Sequence, residues 1–289
     1  MELECLNTIE CNQGAVRAVR FNVDGSYCLT CGSDKKIKLW NPYRSLLLKT
    51  YGGHGNEVHD ASGSCDSSQI AGPLRRLRGH AATVTCVKYN EESTVVVSGS
   101  LDNTVMCWDI KSRSQTPVQT LKEAKDCVSS VQVTDHEILT GSVDCTFRRY
   151  DLRNGRLDAD FVGAAITSVC FSHDGQCILV SSADGIARLS TKPRERCWES
   201  MYTGHKTDDV SIESAIITND NFVLSGSVTG GIVVLGLGYC GGGKKVCAHP
   251  WESTEFAQHT SKEGYCADVF GRHDQSLGAT RGRKRASRN

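Results

Sequence analysis

Apolar and polar residues alternate along most of this chain, in short runs broken by turn residues. AVRAVRFNVDG, TVTCVKYNEE, VSSVQVTDHE, ITSVCFSHDG and SIESAIITNDN each begin with such a run. Alternation sends successive side chains to opposite faces of an extended chain, so it predicts half-buried β-strands. The stretch after His80 contains a whole unit. Thr83–Tyr89 reads as a first strand, Glu91-Glu92-Ser93 as a turn and Thr94–Ser98 as a β-branched second strand. Leu101-Asp102-Asn103 forms the next turn, Thr104–Ile110 a third strand and Pro117–Leu121 a fourth. Helical spacing of apolar residues is nearly absent, which argues against an α/β fold.

The unit repeats. CGSDKKIKLWN carries Asp34, SGSLDNTVMCWD Asp102, TGSVDCTFRRYD Asp144 and SSADGIARLS Asp184, while SGSVTGGIVVLG has Thr229 at that place. The last three acidic turns recur about every 40 residues, the period of a four-stranded propeller blade. The expectation is an all-β propeller over residues 1–235, with about five to six recognisable blades.

The stretch from His80 to Asp109 also holds a Ser, a His and an Asp, the side-chain types of a hydrolytic triad. Catalysis would need one exposed nucleophile beside one base and an oxyanion hole. Here the group recurs in degraded forms, which fits a structural repeat. Asp34 and Trp40 occur without a His, with Asn12 near its place. His205 and Ser225 occur without the Asp and the Trp.

Gly79-His80, then Ser98-Gly99-Ser100-x-Asp102, then Trp108-Asp109 resembles the WD-repeat β-propellers. The terminal pair reads Trp-Asn at 40–41 and Tyr-Asp at 150–151. The resemblance implies a hydrogen-bonded tetrad inside a blade, here His80, Ser98, Asp102 and Trp108, with partial sets around Asp34, Trp40, Asp144, Asp184, His205 and Ser225. It also implies seven blades. Loops before each first strand and turns between second and third strands then share one rim, where Arg17, Asn56, Lys125, Asp126 and Asp208 are candidate partner-binding residues.

QGAVRAVRFNVDGSYCLTCGSDKKIKLWNP, VSSVQVTDHEILTGSVD, RRYDLRNG and CFSHDGQC narrow the likeness to scaffold members of that family. The resemblance implies a non-enzymatic adaptor with three partner classes: mitogen-activated protein kinase (ERK) cascade components, spliceosomal proteins and a hypoxia-pathway prolyl hydroxylase. It also implies residence in cytoplasm and nucleus. The alternatives are a structural spliceosome-associated subunit without a signalling role, and an enzyme or metal-binding module built on the C-terminal tail.

Three stretches depart from the pattern. Gly53-His54 and Gly79-His80 stand too close for a full blade, so the second blade is expected to be truncated around residues 69–74. STKPRERCWES, residues 190–200, has no Trp-Asp-like end. Residues 236–289 lose the pattern and read as an irregular Gly-rich, then basic, tail. The first strand, from Leu3 to Ile9, thus lacks the partners that would complete a last blade, which leaves closure of the ring open and its sheet edges free to associate.

Composition adds constraints. Lys+Arg and Asp+Glu both number 33, and five basic residues crowd the last nine positions. The remainder is net acidic, which argues against direct nucleic-acid binding by the ring. No apolar run suits a bilayer and the start MELECLNTIECNQG does not read as a secretory signal, so a soluble intracellular protein without membrane contact is expected. Without a signal, the 15 cysteines read as small buried hydrophobes rather than disulfides. Gly238–Lys244 fits a phosphate-cradling loop, but Lys245 stands where Mg²⁺ binding calls for Ser or Thr, and Pro250 stops the helix that should follow. Cys240, Cys247, His249, His259, Cys266 and His273 lack the paired spacing of zinc ligands. No cofactor or metal is expected.

Overall fold

Strand-forming alternation and turn chemistry produce an all-β molecule. The structure, a computed structural model, describes residues 2–22, 25–64, 76–112, 114–191, 200–203, 212–217, 222–227, 231–236, 252–258, 264–270 and 275–283. A first strand, β1 (Glu2–Glu10), precedes a sheet of β2 (Val16–Phe21), β3 (Cys28–Gly32), β4 (Ile37–Asn41) and β5 (Leu46–Tyr51). The next sheet contains β6 (Val84–Tyr89), β7 (Val95–Ser100), β8 (Val105–Asp109) and β9 (Gln119–Leu121). Then come β10 (Val128–Val133), β11 (Glu137–Ser142), β12 (Thr146–Asp151) and β13 (Arg156–Phe161). They are followed by β14 (Ile166–Phe171), β15 (Cys177–Ser182), β16 (Ile186–Thr191) and β17 (Ser200–Thr203). A three-stranded sheet holds β18 (Ser214–Ile217), β19 (Phe222–Ser227) and β20 (Gly231–Gly236). Pairing within these sheets is antiparallel between chain neighbours, as expected of propeller blades.

The acidic turns share one backbone solution. The residue after each Asp is left-handed: φ is +62° at Lys35, +63° at Asn103, +65° at Cys145 and +74° at Gly185. The Asp side chain accepts from the backbone N–H two residues on, as Asp102 Oδ1 does from Thr104 (3.0 Å) and Asp144 Oδ1 from Thr146 (3.0 Å).

The core lies between sheets. Cys86, Val97, Val105 and Leu121 of the β6–β9 sheet pack with Val128, Val131, Ile138 and Tyr150 of the next. A Cβ at Gly99 would meet Cys86 Sγ and Val128 Cγ1, each at 2.7 Å, so glycine lets the neighbouring inner strand close over β7. The inner strands are stitched by hydroxyls at equivalent positions: Thr85 Oγ1 donates to Val128 O and Ser129 Oγ to Ile166 O. Burial pushes the Cys86 thiol up to about 12 and that of Cys107 to about 11, which keeps both in the protonated, unreactive form.

The expected truncation at 69–74 lies outside the described residues, but the segment before it is informative. Residues 57–64 run without regular strand structure between β2 and β6. Val58 and Ala61 pack on Ala18 and Cys31. Asp60 accepts from the Val87 N–H (2.9 Å) and pairs with Arg20 (3.0 Å), and Ser62 Oγ accepts from the Tyr89 N–H (3.3 Å). Ser130 Oγ accepts from the Val169 N–H (3.3 Å) in the same manner two sheets on. Val58-His59-Asp60 therefore occupies the place of an inner strand, as Val128-Ser129-Ser130 does.

The C-terminal region differs from the irregular tail read in the sequence. β21 (Glu252–Gln258), β22 (Gly264–Phe270) and β23 (Gln275–Arg283) form a sheet, and β1 pairs with β23 from Glu2↔Arg283 to Glu10↔Ser276. β21 contacts β2 and also β18 and β19. Backbone pairing needs no strong hydropathy pattern, and glycines such as Gly278 and Gly282 weaken the alternation that would have announced these strands.

Candidate functional site

The best-formed polar cluster sits in the β6–β9 sheet. The loop before β6 supplies His80, β7 supplies Ser98, the acidic turn Asp102 and β8 Trp108. Gly79 is required beside His80, because a Cβ there would meet Trp108 Cη2 at 2.8 Å and Met106 Sδ at 2.9 Å.

The four groups form a chain. His80 Nδ1 lies 2.9 Å from Asp102 Oδ2, and Nε2 lies 2.8 Å from Ser98 Oγ. Trp108 Nε1 donates to Ser98 Oγ at 2.8 Å. With the imidazole proton on Nδ1, each donor finds one acceptor: indole to Ser98, Ser98 to Nε2, Nδ1 to the carboxylate. Asp102 also accepts from the Ala81 N–H (2.8 Å) and from Thr104. Burial opposes its ionisation, but the hydrogen bonds from Thr104, Ala81 and His80 outweigh it and hold the carboxyl well below the usual carboxylate range.

This geometry ties a loop to a sheet and is unsuited to nucleophilic attack. Ser98 is 5% exposed, with its oxygen enclosed by the imidazole and the indole. An attacking hydroxyl must reach a carbonyl and deliver charge to an oxyanion hole. Buried and satisfied, the same groups stabilise the blade instead.

The partial sets are more complete than their sequences suggested. In the first sheet Gln13, rather than Asn12, takes the histidine's place. Its Nε2 donates to Asp34 Oδ1 (3.1 Å), its Oε1 accepts from Thr30 Oγ1, and Trp40 Nε1 donates to Thr30 Oγ1 (2.9 Å). A primary amide can thus replace an imidazole, since it too presents N–H donors on one side and an acceptor on the other; its second N–H donates to Lys36 O (3.1 Å).

The next two sheets use arginine. Ala124 and Val162 occupy the histidine position, and the acid is held from the third strand instead. Arg148 donates to both oxygens of Asp144 (Nη2 to Oδ2 2.6 Å, Nη1 to Oδ1 3.2 Å). Arg188 holds Asp184 in the same way (2.6 and 3.3 Å). Burial opposes ionisation of both acids, but their arginines prevail and keep each carboxyl low. The signal was present in the sequence as Asp-x-x-x-Arg in DCTFR and DGIAR, where the other turns have Met106 and Lys38.

Ser225 is buried and lies 2.9 Å from Ser214 Oγ, while His205 lies outside the described residues. Among the rim candidates, Arg17 makes an exposed ion pair with Glu57 (2.9 Å), next to the exposed Asn56. Lys125 and Asp126 are exposed on the loop before β10. The Lys125 N–H donates to Asp144 Oδ2 (2.8 Å), and its carbonyl accepts from Asn103 Nδ2 (3.2 Å), so the tether positions this rim loop. Asp208 lies outside the described residues. Among the described residues no group of His, Cys, Asp and Glu could hold a metal ion, and no helix is long and apolar enough to cross a membrane. Gly238–Lys244 falls outside them.

A family model described as WD domain, G-beta repeat matches residues 3–41, 71–109 and 156–189. The chain is similar to WD repeat domain-containing protein 83 of Rattus norvegicus, 51% identical over 241 residues that cover 78% of this chain and 76% of the relative. The Homo sapiens protein of that name is 52% identical over the same shares. The Dictyostelium discoideum homolog is 28% identical over 271 residues, covering 78% of this chain and 83% of its own. Repeats of this kind mediate protein–protein interaction, and relatives this similar imply a scaffold or adaptor. On the tethered blades, the recurring acidic turns and these identities, the chain belongs to the WD-repeat β-propeller family.

Proposed function

We propose that this chain is a non-catalytic scaffold that assembles proteins of the mitogen-activated protein kinase (ERK) cascade, and that it also joins spliceosomal complexes. A hypoxia-pathway prolyl hydroxylase is a further partner in this reading, and the chain works in both cytoplasm and nucleus. The observation that carries the scaffold role is the tether. It uses hydrolase-type side chains to fix rim loops while burying the Ser98 hydroxyl of that set. A rigid ring with fixed loops suits recognition of other proteins. Likeness to scaffold members of the family supports the choice of partners.

Affinity purification of the tagged chain followed by mass spectrometry tests this. Recovery of kinase-cascade or spliceosomal proteins is expected, reduced by charge reversal at Lys125 and Asp126. Recovery of chaperones alone would overturn it.

A further inference from the structure

The link between β8 and β9 carries chemistry that the scaffold reading leaves unused. Of the five prolines in the chain, Pro117 alone follows a hydroxyl residue, Thr116. Ser114, Gln115 and Thr116 are all exposed and outside regular structure. Proline has no N–H to give a sheet, so the outer strand cannot extend back through Pro117, and Thr116 stays outside it.

Both shoulders of the loop are fixed. The Arg78 N–H donates to Gln115 O (3.2 Å), and the Val118 N–H donates to Cys107 O (2.8 Å). Pro117 packs on Gly79, where an added Cβ would lie 3.4 Å from its Cδ. Between these anchors the exposed Thr116 hydroxyl lies 2.7 Å from a neighbouring exposed hydroxyl, Ser114 Oγ. Lys111, Arg76 and Arg78 are exposed nearby in the chain or across the loop contact, so the neighbourhood suits added negative charge.

We propose that Thr116 is a phosphoacceptor for a proline-directed serine/threonine kinase. Its Oγ1 attacks the γ-phosphorus of ATP, forming the Oγ1–P bond. The bond to the β,γ-bridging oxygen breaks, ADP leaves, and the hydroxyl proton passes to the kinase's catalytic base. The product places about −1.5 to −2 charges one residue from Gln115, whose carbonyl contacts the backbone of the exposed Arg78. In an up-and-down sheet the link between third and fourth strands lies at the opposite end from the acidic turn. The mark therefore sits away from the candidate rim and needs no rim partner.

The test uses the purified full chain, ATP and a purified active kinase of the mitogen-activated class, with site mapping by tandem mass spectrometry. One phosphoryl group at Thr116 is expected. Thr116→Ser should retain it, Thr116→Val should lose it, and Pro117→Ala should lose it while Thr116 is still present. Thermal melts check that each variant is folded. Three results would each overturn the assignment: unchanged incorporation in Thr116→Val, labelling at Ser112 or Ser114 instead, or a peptide of residues 111–121 accepting phosphate when the folded chain does not. Such a failure would leave the scaffold reading standing, because no bound partner enters the assay.

Discussion

The β6–β9 and β10–β13 sheets solve one problem with different parts. Each has an aspartate in the turn between second and third strands, with a left-handed residue behind it. In the first, the acid is held from outside the sheet by His80, which also engages Ser98 and Trp108. In the second, it is held from within by Arg148 on the third strand, and Tyr150 turns to Glu123 instead (3.1 Å). The turn backbone fixes where the carboxylate lies, and any well-placed cation or amide can then serve it. Both acids also accept an N–H from the loop before the sheet, Ala81 or Lys125, but only the histidine version adds a side chain from that loop, so losses there should spread further.

The largest effect is therefore expected from Asp102→Ala. It removes an acceptor for His80, Thr104 and the Ala81 N–H together. Loss of a buried charged partner of this kind costs about 3 kcal/mol. Urea unfolding of wild type and variant measures it. A midpoint unchanged within error would show that the network contributes nothing to stability.

Arg148→Ala should cost less, about 2 kcal/mol. Asp144 loses its bidentate partner but keeps the Lys125 and Thr146 N–H groups, and no upstream loop depends on the arginine. Arg148→Lys cannot make the paired contact and should fall between. A variant as damaging as Asp102→Ala would show that the two tethers carry equal weight.

The comparison also marks what could be read in the sequence. Strand alternation and the Asp-ended turns announced the sheets, because a period of two and a tight turn are local properties. His80, Ser98, Asp102 and Trp108 were legible as a set through the resemblance to WD-repeat blades. Gln13 was not, because an amide in a loop resembles any polar loop residue until Thr30 and Asp34 are seen on either side of it. Arg148 and Arg188 looked like ordinary strand residues, since their burial, at 5% and 8% exposure, emerges only once the chain is folded. β21–β23 were missed because their pairing with β1 is a long-range backbone event.

Acid should weaken all these tethers gradually. Asp102, Asp144 and Asp184 each have a folded pKa below the ordinary value. Their stabilisation is complete above the unfolded value of about 4 and is lost as pH falls from there through the lowered folded values. Urea midpoints measured downward from neutral pH should hold until about pH 4 and then decline. Asp102→Asn should be less stable at neutral pH and decline less steeply. An equal slope in variant and wild type would remove Asp102 from the account.

The smallest change is expected from His80→Gln, which imports the first sheet's solution into the second. Gln13 shows that an amide can join a turn aspartate to a β-strand hydroxyl. The two loops differ in reach, however. The first-strand loop carbonyl that accepts from the turn belongs to Ala15 in one sheet and Thr83 in the other, so His80 starts one residue farther out. The amide must bridge Ser98 and Asp102 from that different starting point, and a loss of about 1 kcal/mol is expected, the worth of one ordinary hydrogen bond. His80→Ala should cost more, because Ser98 and Asp102 both lose a partner. If His80→Gln proves as damaging as His80→Ala, interchange of tethers depends on loop length rather than on donor and acceptor chemistry. The acid would then be matched to its own loop, and the two sheets could not exchange parts.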